Sequence, residues 1–170
     1  MPIEQPTQRD VTLMDRTLQE AGKALSEGGA GVAALLASQD EVVAIGRNAI
    51  RETGDLTQHA EMVLLHEVGS KLQSMNDQQR RALSLYVTLE PCLMCAAALS
   101  FAGIKRIVYA ALAEDANAEQ IIVRGITLPK INDQLVRGPF NLVPGVRREE
   151  GRSLLRQMGK AAGATPDLQT

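Results

Sequence analysis

Apolar positions along the chain change their spacing in step with glycine and proline, and the changes mark out the elements. From Asp10 to Glu27, Leu13, Met14, Leu18, Ala21 and Leu25 fall three or four apart, predicting an amphipathic helix that Gly28 and Gly29 stop. Val32–Ala37 and Val42–Ile45 are short apolar runs broken at Gln39-Asp40, which predicts two hairpin-paired strands. A polar loop is expected over Gly46–Thr57, then a helix over Gln58–Leu72 with Met62, Leu65 and Val68 on its apolar face. Beyond the polar segment Ser74–Arg81, Leu83, Leu85, Val87 and Leu89 alternate as a strand that Pro91 ends. Cys92 opens a small-residue helix to Ala102, closed by Gly103, and Ile104–Tyr109 reads as another strand. Glu114–Asn141 is loop-rich, with Gly125, Pro129, Gly138 and Pro139. A last helix over Arg147–Lys160 carries Leu154, Leu155 and Met158, and the small, polar residues from Ala161 are expected to fray. Strands alternating with helices predict an α/β fold, a three-layer α/β/α sandwich in one domain over 1–160 with a flexible tail over 161–170.

Length agrees with one domain, since 170 residues enclose one substantial core and hardly two. No apolar run approaches the roughly 18–20 residues of a membrane helix, so no membrane partner is expected. The polar start, with Pro2 and Pro6, lacks the apolar stretch of a secretory signal, and a cytoplasmic location is expected. A net charge of −2 offers nucleic acid no global attraction. Four aromatics in all, Tyr86, Phe101, Tyr109 and Phe140, are few for stacking successive bases.

The chemistry lies at two helix starts, His59-Ala60-Glu61 and Pro91-Cys92-Leu93-Met94-Cys95. Cysteines three apart in a first helical turn point the same way, and the unpaired N–H groups there favour thiolate, the metal-binding form. One imidazole and two thiolates make three ligands for Zn2+, one ion per subunit. A closed structural zinc site takes four protein ligands, and a catalytic one keeps a position for water. No third cysteine exists, and His66 lies seven residues past His59, about 10 Å along the same helix. The open, catalytic site is therefore expected. Zinc brings the pKa of its water to roughly 7, and Glu61 is placed to take that proton as the catalytic carboxylate.

These motifs resemble the signature of the cytidine and deoxycytidylate deaminase superfamily, over about residues 31–113. Leu85-Tyr86-Val87-Thr88-Leu89-Glu90-Pro91-Cys92-Leu93-Met94-Cys95 and Arg106-Ile107-Val108-Tyr109 are most similar to its tRNA adenosine, cytosine and guanine deaminase branch. The resemblance implies His59, Cys92 and Cys95 as zinc ligands, Glu61 as proton shuttle, a five-stranded mixed sheet between helices, and a homodimer. It also implies that Asn48 hydrogen-bonds the substrate, as would the backbone N–H of Ala60 or Glu61.

Plainer readings stand beside these. Cys92 and Cys95 could form a redox dithiol, though that motif needs no upstream His-x-Glu; Asn48 could be only a turn residue. His66 reads as structural, Met94 as packing under the metal, and Glu90 either supports the cysteine loop or is solvated. Arg148, Arg152, Arg156 and Lys160 form a stripe that is either a solvated face paired with Glu149 or an edge for RNA phosphates. The acidic charge and the absence of a basic ending favour a small heterocyclic amine, such as a free nucleobase or nucleoside, as substrate. The wobble adenosine of tRNA is the alternative, and a zinc module without catalysis is the third reading. Guanine is disfavoured, because Ile121-Ile122-Val123 stands where guanine deaminases of this branch carry Phe-Asp-Asp and no aromatic follows Phe140.

Overall fold

The structure is a computed structural model, and it describes residues 3–39, 41–118, 120–121 and 123–162. In chain order its elements are α1 (Gln8–Ser26), β1 (Ala33–Ala37), β2 (Val42–Arg47), α2 (Ile50–Thr53), α3 (Ala60–Ser74), α4 (Asp77–Arg81) and β3 (Ser84–Leu89). There follow α5 (Leu93–Ala102), β4 (Arg106–Ala111), α6 (Leu128–Asn132), β5 (Asn141–Pro144) and α7 (Arg148–Ala162).

One five-stranded sheet runs β2-β1-β3-β4-β5. β1 pairs antiparallel with both β2 and β3, whereas β3, β4 and β5 are parallel, so the sheet is mixed. Leu35 sits opposite Ile45 and Tyr86, and Tyr86 opposite Val108. Because side chains alternate across a strand, Leu35, Tyr86, Val108 and Val143 meet Met14 of α1 on one face. Leu36, Leu85, Val87, Ile107 and Tyr109 meet Leu64 of α3 and Leu99 of α5 on the other. Both faces are covered, which explains why β1 is buried along its whole length and reads as an unbroken apolar run. The three-layer α/β/α sandwich is the observed fold.

Local differences from the expected elements have local causes. The stretch expected as a polar loop continues β2 to Arg47 and then forms the single turn α2, which Gly54 closes at φ 69°. The polar segment before β3 holds α4, whose cap Asn76 exchanges hydrogen bonds with Gln79. β5 was not expected from the residues, being four long with two apolar side chains. It forms because β4 offers a parallel partner, and Glu4 N–H donates to its outer side at Leu142 O (3.0 Å). α7 extends to Ala162, past the expected end; of the expected tail, 163–170 lie outside the described residues. Among the described residues no helix is long and apolar enough to cross a membrane.

α1 is fastened at its start. Thr7 and Asp10 form a capping box, and the buried Asp10 carboxylate also accepts from Tyr86 Oη (2.9 Å) and from Arg106 Nη1 (2.8 Å) and Nη2 (3.0 Å). Burial alone would raise the Asp10 pKa, but the bonds from Arg106, Thr7 and Tyr86 outweigh it and hold the group well below the usual carboxylate range. On the opposite face β2 approaches α3 closely at Gly46. A Cβ there would stand 2.3 Å from Ala60 O and 2.8 Å from Leu64 N.

Candidate metal centre and catalytic cleft

Two helices begin at the same end of the sheet. His59 is the N-cap of α3 and Cys92 the N-cap of α5, both in extended backbone. Neither side chain caps its own helix, so both are free to face across the gap. β3 delivers Cys92 at its C-terminal end, the usual place for ligand sites in open α/β sheets. Cys95, one turn into α5, is fully buried.

His59 Nδ1 lies 3.7 Å from Cys92 Sγ and 3.7 Å from Cys95 Sγ. The three ligand atoms fall within 4.8 Å of one another, the sole His/Cys/Asp/Glu group among the described residues that does so. A tetrahedral zinc with Zn–S of about 2.3 Å and Zn–N of about 2.1 Å requires N···S separations of roughly 3.6 Å. The residues therefore fit zinc without rearrangement. His66 is exposed on α3 and outside this group, as its spacing implied.

The protonation pattern of these three groups agrees with a ligand set. A hydrogen bond from the Cys95 thiol, with help from His59, lowers Cys92 to about 4 against the opposing effect of burial. Cys95 is driven far up, first by that bond to the Cys92 thiolate, then by burial and the nearby Glu61 charge. His59 is raised chiefly by its bond to Cys92. Each of these groups ligates only when deprotonated, so protons hold positions from which a cation displaces them.

Glu61, two residues into α3, is 4 % exposed and lies against Cys95. Burial lifts its pKa to about 7, and a cation beside it would draw that value down. The carboxylate also accepts from its own backbone N–H. The Ala60 and Met62 N–H groups of the same turn have no acceptor among the described residues. Ala60 itself packs in the core.

A cleft of about 210 Å³ opens over these groups, lined by Asn48, Ile50, His59, Glu61, Cys92 and Met158 among others. Asn48 has the turn role as well as the cleft position. Its Oδ1 accepts from Ile50 N (3.2 Å), and Nδ2 has no bond among the described residues. Glu90 is no solvated carboxylate: it is buried, with Oε1 accepting from Leu128 N (2.6 Å) and Oε2 from Ala113 N (3.0 Å). It ties the cysteine loop to two segments of the far wall. Gln120, Ile50 and Met158 were not foreseen as lining residues. Gln120 comes from the loop-rich stretch, which has no local pattern, and reaches Leu155 O of α7 (3.3 Å), whereas Met158 reads as part of the apolar face of the last helix.

Two residues of the basic stripe on α7 are engaged by acids, and the exposed Arg156 has no carboxylate partner among the described residues. Arg148 binds Asp115 (2.8 Å) and Glu114 (2.6 Å), and Arg152 binds Glu149 (2.6 Å). The side chain of Lys160 lies outside the described residues.

Residues 7–111 match the family described as the cytidine and deoxycytidylate deaminase zinc-binding region. The chain is 33% identical over 144 residues to the tRNA-specific adenosine deaminase of Agrobacterium fabrum, a match covering 85% of this chain and 90% of that protein. With the tRNA-specific adenosine deaminase of Aquifex aeolicus it shares 36% identity over 95 residues, 56% of this chain and 61% of that protein. A solved tRNA:A34 deaminase, from work on A-to-I editing at the wobble position of transfer RNA, is 33% identical. It superposes with a TM-score of 0.65 over 84% of this chain and 97% of that one. The guanine deaminase of Nitrosomonas europaea, 22% identical, shares the fold with a TM-score of 0.73 over 86% of this chain and 82% of that one.

Proposed function

The chain belongs to the cytidine and deoxycytidylate deaminase family, and from that premise we propose that it hydrolyses the exocyclic C–N bond of an adenosine presented on tRNA. The observation that carries this reading is 33% identity to a tRNA-specific adenosine deaminase along nearly the whole of both chains. It reverses the preference for a small free substrate that charge and chain ending suggested. The cleft agrees in size. About 210 Å³ is below the roughly 300–1,000 Å³ of pockets for drug-sized ligands, so it suits one flat base with its sugar left outside.

His59, Cys92 and Cys95 would hold the zinc ion, which when bound supplies the Lewis acidity that makes a water molecule nucleophilic near neutral pH. Glu61 is the proton carrier. Its carboxylate takes a proton from the attacking water and gives it to the ring nitrogen beside the amino carbon, then takes the second proton from the new hydroxyl and gives it to the departing amine. A C–O bond forms, the C–N bond breaks, and ammonia leaves. Asn48 Nδ2 and the Ala60 N–H donate to acceptors of the ring and set its orientation. Ile50 and Met158 flank the cleft with apolar surface and limit water.

A second reading, deamination of a small free heterocycle, is favoured by one observation: Arg148 and Arg152 of the α7 stripe are paired with the chain's own acids. Ammonia release across free bases, nucleosides and tRNA, each at two salt concentrations, separates the readings. Turnover confined to tRNA and weakened by salt is expected. Efficient turnover of a free base with none on tRNA would replace the first reading by the second.

A further inference from the structure

We propose that Gln120 is a specificity-determining residue of the cleft, an amide locked so that it can only donate a hydrogen bond to the ring of the bound base. The proposal rests on the deaminase reading above and deepens it, because it says what the two flanks of that ring must carry.

Gln120 is half-buried and lines the cleft together with Asn48, Glu61 and Cys92. Its amide cannot turn over. Oε1 accepts from the Asn117 N–H (2.9 Å), a group that only donates, and Nε2 gives one hydrogen to Leu155 O (3.3 Å), which only accepts. The Gln120 N–H donates in turn to Asn117 Oδ1 (3.1 Å), so the backbone carrying the amide is tied as well. The second hydrogen on Nε2 has no acceptor among the described residues.

Asn48 is locked in the same sense. Its oxygen accepts from the Ile50 N–H (3.2 Å), and its NH2 group is left over. Two side-chain amides in one cleft thus have their oxygens taken by backbone donors and their nitrogens turned to other use. The Glu90 carboxylate also borders the cleft, but its two oxygens are engaged by the Ala113 and Leu128 N–H groups.

Topology puts the two amides on different sides. Asn48 follows β2 and Gln120 lies beyond β4, with β1 and β3 between those strands in the sheet. A ring that enters with its amino carbon toward Glu61 and Cys92 meets a fixed donor on each flank. Adenine answers both, with N7 on one flank and N3 on the other. Cytosine has acceptors on one flank only, the other being C–H, and guanine turns its N1–H toward one of the donors. A desolvated donor left without a partner disfavours the wrong ring more than a matched bond favours the right one. The cleft therefore selects adenine.

The test deletes the bond from both ends. We would measure kcat/KM of the full chain on an anticodon stem-loop RNA carrying adenosine, 3-deazaadenosine or 7-deazaadenosine at the target position. Gln120→Leu should lose roughly 3- to 10-fold on adenosine. On one of the two analogues, the one lacking the nitrogen that faces Gln120, wild type and Gln120→Leu should become equal, since the same bond is removed only once. Gln120→Glu keeps an acceptor for the Asn117 N–H but has no donor, and it should give the same pattern should the leucine variant fail to fold. Equal losses on all three RNAs would mean that Gln120 only ties its segment to α7, and the proposal would fall while the tRNA reading stood. If RNA is refused and free adenosine accepted, the tRNA reading falls, and the same comparison on the three nucleosides decides the role of Gln120. A chain that deaminates none of them overturns both.

Discussion

Gly46→Ala should disable the metal site without touching a ligand. The added Cβ would stand 2.3 Å from Ala60 O and 2.8 Å from both Leu64 N and Leu64 Cβ. Two of these are backbone atoms, so no rotamer relieves the clash. Ordinary contact begins near 3.4 Å, and 3.4 − 2.3 leaves about 1.1 Å of movement to be found. β2 is held by its ladder to β1, where Gly46 faces Ala34, so the first turn of α3 must give. His59 caps that turn, and Glu61 lies in it. Metal bonds tolerate roughly 0.2 Å, so the displacement pulls Nδ1 away from the two sulfurs it now meets at 3.7 Å. Overpacking of this kind costs about 1–3 kcal/mol, or roughly 2–12 °C in Tm at this chain length. Gly151→Ala is the control, because its Cβ would meet Ala111 N at 2.8 Å between α7 and β4 and touches neither the first turn of α3 nor that of α5. Both variants should melt early, and only Gly46→Ala should lose zinc to a competing chelator. Full zinc affinity in Gly46→Ala would refute the reasoning.

Glu61→Gln should retain zinc yet release ammonia at least about 10²-fold more slowly, since the amide cannot carry the proton; wild-type turnover would remove the assigned role. Glu90→Gln should turn an NH2 group toward one of two N–H donors, Ala113 or Leu128, costing about 1.5–3 kcal/mol and loosening the far wall. KM should rise more than kcat falls while zinc stays, and steady-state kinetics with metal analysis would expose the opposite. The depressed pKa of Asp10 contributes stability that is fully present above its unfolded value near 4 and is lost as pH falls toward the folded one. Asp10→Asn should therefore lower Tm at neutral pH and flatten its decline between about pH 5 and 3, whereas parallel melting profiles would deny Asp10 that share of acid stability.

What could be read from the residues depended on whether the signal was local. His59, Cys92 and Cys95 were legible because each lies in a helix's opening residues, where side-chain direction follows from spacing. β1 and β3 were legible because burial on both faces leaves dense apolar runs. β5 was hidden, since Leu142 and Val143 form a strand only once β4 lies beside them. The single turns α2 and α4 were hidden in polar segments whose caps carry no hydrophobic period. Met158 reads as a core residue of an amphipathic helix, and only the way α7 crosses the sheet brings it to the cleft. Glu90 was undecided because its partners, Ala113 and Leu128, are backbone groups 23 and 38 residues away.

The Asp10–Arg106 pair joins positions 96 residues apart, whereas the metal ligands span only 59 to 95. On the ribosome the three ligands thus emerge before Arg106 does. A nascent chain at that stage holds all three ligands, while Asp10 has Thr7 and Tyr86 already synthesised but not yet the guanidinium that pairs its charge. Synthesis thereby imposes an order: the three ligands are all present before the Asp10–Arg106 pair can form, and that pair waits for the fourth strand to leave the exit tunnel.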